Sequence, residues 1–124
     1  MSVKEVDFVI VGAGSAGCVL ADKLSASGDY HVVLIEAGPS DNRFWIRTPI
    51  GYGVTYTDPE VNWCYSAEPD PAICNRRLYW PRGKVLGGSS SINAMVYHRG
   101  QAKDYDDWER ARNPGWGYDA VKNV

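Results

Sequence analysis

Three glycines near the start of the chain form a pattern that binds dinucleotide phosphates. Gly12, Gly14 and Gly17 have the spacing GxGxxG and follow the apolar run Phe8–Val11. In such a turn the first glycine allows a tight bend out of a strand, and the second lets the backbone approach a pyrophosphate. The third lets the following helix pack closely on the strand, with its first N–H groups and its dipole directed at the phosphates. A pyrophosphate is therefore the predicted ligand of this loop.

A carboxylate lies at the distance from these glycines that ribose binding requires. Glu36 ends the apolar run 31–36, and a carboxylate in this place accepts hydrogen bonds from ribose hydroxyls. Its charge repels a 2′-phosphate and no arginine follows directly, which disfavours NADP. A solvated glutamate at a strand end is the alternative interpretation. The agreement of strand, glycine turn, helix and acidic residue favours ribose binding.

A second glycine-rich segment lies about 70 residues further on. Gly83, Gly87 and Gly88 are followed there by the serines 89–91 and by Asn93. Small residues let the main chain lie against a ligand, and the serines offer hydroxyl and N–H donors. From composition alone, the segment could also be a flexible turn before a helix. Together the two segments predict one extended dinucleotide held at two places, which points to flavin adenine dinucleotide (FAD).

The elements that must position these loops form a βαβ unit. Residues 7–12 and 31–36 are continuous apolar runs rich in β-branched side chains, which is typical of parallel strands covered on both faces. Between them, residues 15–27 repeat small and apolar residues at helical spacing. The predicted fold class is therefore α/β, with a Rossmann-like, ADP-binding βαβ unit over residues 1–38.

Beyond this unit we expect a loop-rich segment, 39–82, and a segment, 83–124, with the second glycine signature and helices. The elements expected there are a helical turn at 45–52, a short strand at 63–66, and helices beginning in 89–97, over 102–112 and from 116. The serines of 89–97 are available as helix caps. A single βαβ unit leaves strand edges unpaired, so we expect the N-terminal part of a larger protein, incomplete as a stand-alone domain.

Composition argues against several other classes of protein. The formal net charge of −2 gives no reason to expect nucleic acid as a partner. Three cysteines without a CxxC pair predict neither a disulfide framework nor a thiolate metal site, and reduced thiols are typical of the cytoplasm. The run Phe8–Val11 is too short for a signal-peptide core. The acidic residues of 104–109 are expected to form a solvated helix face, so no metal site is predicted.

With these residues and motifs, the chain resembles the glucose–methanol–choline (GMC) family of FAD-dependent oxidoreductases over essentially its whole length. Gly83–Asn93, followed by Tyr97, Gly100 and Asp106, is similar to the N-terminal signature of that family. Residues 12–18 and 34–38 are similar to its adenosine-binding unit. The branch that the chain resembles most contains choline dehydrogenase and bacterial primary-alcohol dehydrogenases, on the evidence of residues 62–63, 80–83 and 93–100.

The resemblance implies which residues surround the cofactor. They are Gly12, Gly14, Ser15, Ala16 and Gly17 at the pyrophosphate, Glu36 and Ala37 at the adenosine ribose, Trp63, Arg82, Val85 and Gly88 flanking the dinucleotide, and Asn93, Ala94, Met95 and Val96 along the flavin ring. Some members attach FAD covalently through a histidine in the serine-rich stretch. The matching residue is Ile92, so we expect non-covalent FAD.

The resemblance also implies a reaction in which an alcohol loses its hydroxyl proton to a histidine base and its hydride to flavin N5. That base lies near the C-terminus of a much longer chain, so no catalytic residue is expected here, His31 and His98 included. The substrate domain is expected to be absent. The implied partners are a primary alcohol (choline-like or aliphatic), an electron acceptor (oxygen or a quinone) and the remainder of the GMC chain. The expected location is cytoplasmic or peripheral to the inner membrane.

Three alternatives remain open. A truncated module could bind FAD or a nucleotide without catalysis. A fragment of an NAD-dependent dehydrogenase would use the first motif alone and leave Gly83–Asn93 unexplained. A few family members are lyases or decarboxylases, which would keep the flavin and change the chemistry.

Overall fold

The computed structural model describes residues 5–123, which divide into two compact units on either side of the Ala94–Met95 bond. The first unit opens with a βαβ arrangement of β1 (Phe8–Val11), α1 (Ser15–Ser25) and β2 (Val32–Ile35). β1 and β2 pair in parallel, with Phe8 opposite Val32 and Val11 opposite Ile35. The α/β class and the order strand, helix, strand are confirmed.

Two glycines of the first motif explain how α1 packs on the sheet. Gly12 leaves β1 with a φ of +95°, which side chains with a Cβ rarely adopt. A Cβ on Gly17 would lie 1.9 Å from the Gly12 carbonyl oxygen. Since no side chain fits in that gap, the absence of one at Gly17 lets the helix approach the strand, as the sequence predicts.

The expectation that both strands are covered on both faces is wrong for the described residues. Val9, Val11 and Ile35 are 57%, 83% and 48% exposed. The physical reason is that this sheet has two strands, and the helix packed on it from the described residues is α1. One helix covers one face of a sheet.

The rest of the first unit is built from short elements. They are α2 (Phe44–Arg47), a 3₁₀ turn (Pro49–Gly51), α3 (Tyr52–Thr55), β3 (Tyr65–Ser66), a 3₁₀ turn (Pro71–Ile73), β4 (Tyr79–Trp80) and a 3₁₀ turn (Gly88–Ser91). β3 and β4 are antiparallel. β3 confirms the expected strand. β4 was not predicted, because two residues are too few to show a sequence period. The core of this unit is formed by Val61, Val85 and Ile92, with Ile46 packed against it.

The helix expected to begin in 89–97 is wrong. A 3₁₀ turn ends at Ser91, and residues 92–101 are not helical. The hydroxyls of Ser90 and Ser91 donate to the carbonyls of Gly87 and Leu86 instead of capping N–H groups. Met95 has a φ of +55°, a left-handed conformation that a right-handed helix cannot include.

The second unit contains α4 (Ala102–Arg110) and α5 (Tyr118–Val121). The expected helix at 102–112 is confirmed, and the helix expected from 116 is one short turn. Two acidic residues of α4 bind the loop that follows, since Asp106 accepts from the Tyr118 N–H (3.1 Å) and Glu109 from the Gly115 N–H (3.1 Å). These carboxylates therefore help to hold the loop, and the expected solvated acidic face is confirmed, since Asp104, Asp106 and Glu109 are exposed. Among the described residues, no helix is long and apolar enough to cross a bilayer.

Asp107→Asn is expected to reduce the acid sensitivity of α4. Hydrogen bonds from Lys103 (2.5 Å) and from Arg110 lower the pKa of Asp107 below its usual value of 3.8. Because the folded-state pKa is depressed, this stabilisation is present above the unfolded-state pKa and is lost as the pH falls through the folded-state value. Far-UV circular dichroism, recorded from about pH 6 down to about pH 2, should show a smaller pH-dependent change than in the wild type.

The control for this prediction is Asp29→Asn, in an exposed turn of the first unit. It should leave the pH profile of the wild type unchanged. An acid transition as large in the Asp107 variant as in the wild type would contradict the prediction.

Candidate functional site

The two glycine segments lie in direct contact. The Gly87 N–H donates to the Ala13 carbonyl at 2.7 Å, and a Cβ on Gly88 would lie 2.8 Å from the Gly14 Cα. The Ser15 hydroxyl lies 3.2 Å from the Ser90 hydroxyl. The two loops therefore form a single continuous surface at the carboxyl ends of β1 and β2, as one ligand that contacts both requires.

A cavity of about 490 Å³ opens beside this loop pair. Its position at the carboxyl ends of parallel strands is the position where α/β sheets bind ligands. The residues that line it are Val11, Gly12, Gly14, Ile35, Glu36, Ala37, Trp63, Tyr65, Arg82, Gly83, Gly88 and Ser89. All of them belong to the first unit.

Glu36 ties the first glycine loop to the loop after β2. One carboxylate oxygen accepts from the Ala13 N–H at 2.8 Å, and the other accepts from the Gly38 N–H at 3.0 Å. Each carboxylate oxygen has two acceptor positions, so these bonds leave capacity for a hydroxyl donor of a ligand. Glu36 thus has a structural role that its sequence position did not reveal, in addition to its place in the cavity wall.

Two aromatic rings and one cation, those of Trp63, Tyr65 and Arg82, also line the cavity, and Trp80 and Lys84 lie next to them outside the lining. The Trp63 and Tyr65 rings are stacked, with centroids 5.9 Å apart and planes 3° apart. The Arg82 guanidinium lies 4.9 Å from the centre of the Trp80 ring, and the Lys84 ammonium 5.4 Å from that of Trp63. Flat apolar surface with fixed positive charge suits a ligand that combines ring systems with phosphates.

The loops behind this wall are joined by Asn62, which the sequence reasoning did not select. Its side chain is buried (1% exposed). Its amide oxygen accepts from the N–H groups of Cys64 (3.0 Å) and Arg82 (2.9 Å). Its amide nitrogen donates to the carbonyl of Tyr56 (2.7 Å) and to the hydroxyl of Tyr79 (3.3 Å). A hydrogen bond with the Cys64 side chain raises the pKa of Tyr79 to about 12, so its hydroxyl stays protonated.

The structure places the implied site residues in four groups. Gly12, Gly14, Glu36, Ala37, Trp63, Arg82 and Gly88 line the cavity; Ser15, Ala16 and Gly17 form the first turn of α1; Val85 is buried in the core; Asn93 and Ala94 follow the last 3₁₀ turn, and Met95 and Val96 open the second unit. Tyr65, Gly83 and Ser89 also line the cavity and were not in that set. Their closeness in the sequence to Trp63 and to the second glycine motif could have identified them.

These residues fit a dinucleotide. The first N–H groups of an α-helix have no carbonyl partner within it, and the N-cap of α1 is Gly14, which makes no side-chain cap. A Cβ on Gly88 would collide with the Gly14 backbone, so the absence of one lets the two loops meet. Arg82 supplies a positive charge for phosphate and Glu36 a carboxylate for hydroxyls. No cluster of acidic, histidine or cysteine side chains suited to a metal ion occurs in the described part of the chain.

This fold and site define a dinucleotide-binding α/β unit in which two glycine loops share one cavity. A family model described as GMC oxidoreductase matches residues 6–124. The chain therefore belongs to the GMC oxidoreductase family, whose cofactor is FAD.

Known proteins similar to this chain agree with that assignment. An oxygen-dependent choline dehydrogenase of Vibrio vulnificus is 52% identical over 114 residues, which are 92% of this chain and 20% of the relative. An alcohol dehydrogenase (acceptor) of Pseudomonas putida is 51% identical over 112 residues, or 90% of this chain and 20% of the relative.

Among solved structures, pyridoxine 4-oxidase from Mesorbium loti is 38% identical with a TM-score of 0.74, covering 94% of this chain and 23% of that one. The chain thus spans about a fifth of the length of these relatives.

Proposed function

We propose that this chain supplies the pyrophosphate and adenosine part of the FAD site in an oxidoreductase that oxidises a primary alcohol to an aldehyde. The observation that carries the proposal is the contact of the two glycine loops at one cavity, which also presents Glu36, Trp63 and Arg82. An NAD-binding unit would account for the first loop and for Glu36, but it would leave the second loop without a role.

Bound FAD supplies a two-electron acceptor for the hydride of an alcohol. The residues of this chain hold and orient that group. The N–H groups at the start of α1 and the Arg82 guanidinium offset the negative charge of the pyrophosphate. Glu36 accepts from ribose hydroxyls while its bonds to Ala13 and Gly38 keep the glycine loop in place. Trp63, which lines the cavity, would pack against the dinucleotide and limit the access of water.

Proton transfer from the alcohol requires a base, and the proposal assigns that role to neither His31 nor His98. His31 precedes β2, at the end of the strand away from the cavity, and its N–H donates to Asp7. His98 is exposed in the second unit. The names of the relatives support choline or another alcohol as the substrate and oxygen or another electron acceptor; a choline-like or aliphatic primary alcohol and a quinone are the finer form of the proposal. The proposal places the base outside these 124 residues.

FAD is expected to bind to the purified chain and to be released by acid. Ile92, which stands where some family members attach the cofactor, has no nucleophile and is buried in the core (7% exposed). Titration of FAD fluorescence measures binding, and flavin in the supernatant after acid precipitation shows that it is non-covalent. FAD and ADP should bind more tightly than FMN, because FMN lacks the adenosine half that the described cavity accommodates.

Each alternative to this proposal predicts a different experimental outcome. Flavin left in the acid precipitate would contradict non-covalent binding. Stabilisation against heat by NADH and not by FAD would favour a dehydrogenase that uses NAD. Alcohol oxidation by the isolated chain with an artificial electron acceptor is not expected, and its detection would contradict the placement of the base.

A further inference from the structure

Asn62 lies behind the cavity, where it connects three stretches of chain that are separate in the sequence. These stretches are the end of α3, the start of β3, and the loop from β4 to the second glycine segment. The last two carry Trp63 and Arg82 into the cavity wall. Trp63 and Arg82 are themselves joined by a backbone hydrogen bond of 2.8 Å.

We infer that Asn62 is a positioning residue for the cofactor, which sets the placement of Trp63 and Arg82 through its amide while touching no ligand itself. The inference rests on the proposed function. Its side chain is buried and absent from the cavity lining, so its effect must pass through the two neighbours. Because its amide oxygen accepts from the N–H groups of Cys64 and Arg82, Asn62 fixes the backbone next to both cavity-lining side chains, Trp63 and Arg82.

The amide is suited to this task because it donates and accepts at once. The bond from the Cys64 N–H to the side chain two residues earlier accompanies a left-handed φ of +51° at Cys64. That turn separates Trp63 from Tyr65, whose rings stack beyond it. A carboxylate could accept the same two N–H groups, but it would face the carbonyls of Thr55 (3.4 Å) and Tyr56 (2.7 Å) without a proton to donate.

Asn62→Asp tests the inference by making the positioning depend on pH. Near pH 7.5 the ionised variant should bind FAD about tenfold more weakly than the wild type, the effect of one buried hydrogen bond replaced by repulsion. Burial and the facing carbonyls raise the pKa of such a carboxyl, whereas the N–H groups of Cys64 and Arg82 lower it, so a pH titration of the variant must locate this pKa. Below it the protonated form donates again, and affinity should return towards the wild-type value. The Tyr79 hydroxyl is the titratable group bonded to this side chain, and the Cys64 thiol lies at the Asn62 carbonyl; the wild-type profile controls for both.

A second measurement reports the wall without a ligand. The parallel Trp63 and Tyr65 rings should give a coupled near-UV circular dichroism signal, which the variant should lose near pH 7.5 and recover below the pKa of its carboxyl. Asn42→Asp, at an exposed asparagine of the same unit, is the matched control and should change neither reading. If Asn62→Asp does not fold, Tyr79→Phe removes one partner of the amide, together with the bond from the Tyr79 hydroxyl to the Tyr56 carbonyl, and should weaken FAD binding about threefold with the ring contact to Tyr56 intact.

The outcomes separate the inference from the proposed function. Wild-type affinity for FAD in a folded Asn62→Asp or Tyr79→Phe variant near pH 7.5 would overturn the inference. Equal weakening of FAD binding by Asn62→Asp above and below the pKa of its carboxyl would also overturn it, since a purely structural defect would not depend on the protonation of that carboxyl. If the wild type binds no FAD, the proposed function fails, and the circular dichroism signal alone decides whether Asn62 positions the wall.

Discussion

Gly88→Ala is expected to abolish measurable FAD binding at micromolar concentrations and to destabilise the first unit. A Cβ at Gly88 would lie 2.8 Å from the Gly14 Cα, a backbone atom of the other loop, and the φ of Gly88 is +58°. The left-handed conformation costs an alanine about 1 kcal/mol, and the overlap of packed backbone costs about 2 kcal/mol more. Because this overlap forces the two glycine loops apart, we expect the affinity for FAD to fall about 100-fold.

The measurements are FAD titration and urea unfolding, and Gly53→Ala is the matched control. A Cβ on Gly53 meets nothing within 4 Å, and this residue lies in α3, where alanine is favoured over glycine by about 0.5–1 kcal/mol. The control should bind FAD like the wild type. Wild-type affinity in Gly88→Ala would show that the contact of the two loops does not shape the cofactor site.

Glu36→Gln is expected to weaken FAD binding about thirtyfold and to lower the free energy of unfolding by about 2 kcal/mol. The carboxylate accepts from two N–H groups, those of Ala13 and Gly38, one on each oxygen. An amide has one acceptor oxygen, so its NH₂ group must face one of these donors whichever way it turns. The glycine loop then loses its tie to the end of β2, and one acceptor for a ribose hydroxyl is lost with it.

Glu68→Gln is the control for charge alone. Glu68 is exposed and lies 3.6 Å from Arg77 in a surface ion pair, and such pairs contribute little to stability. It should leave both FAD affinity and the urea midpoint within error of the wild type. If Glu36→Gln binds FAD normally, the ribose role must be reassigned; a change in affinity with an unchanged urea midpoint would remove only the structural role.

The sequence predicted the parts of the site whose geometry depends on residues close together along the chain. A glycine spacing between two apolar runs was enough to place Gly12, Gly17 and Glu36, because a βαβ unit has a regular geometry. It did not show that the second glycine segment rests on the first, since the contact of Gly88 with Gly14 depends on how the intervening chain folds. The exposure of Val11 was missed for a related reason: an apolar run indicates burial without saying what covers it.

Other features were not predicted because the side chains involved have several possible hydrogen-bond partners. The serines after Gly88 were expected as helix caps, but Ser90 and Ser91 donate to carbonyls of their own turn. Asn62 was one of many polar residues in a loop-rich segment, and nothing local marked it as buried. Its partners Tyr56 and Tyr79 come from segments whose proximity follows from tertiary structure alone.

The bond between the Gly87 N–H and the Ala13 carbonyl also bears on how the protein folds. Joining two points so distant along the chain requires the closure of a long loop, whose entropic cost must be met before the contact stabilises anything. A cofactor that binds across this joint favours the closed form by mass action. FAD that binds to both glycine loops should therefore also stabilise the folded state. Proteolysis of the segment between the two loops should slow as the concentration of FAD rises.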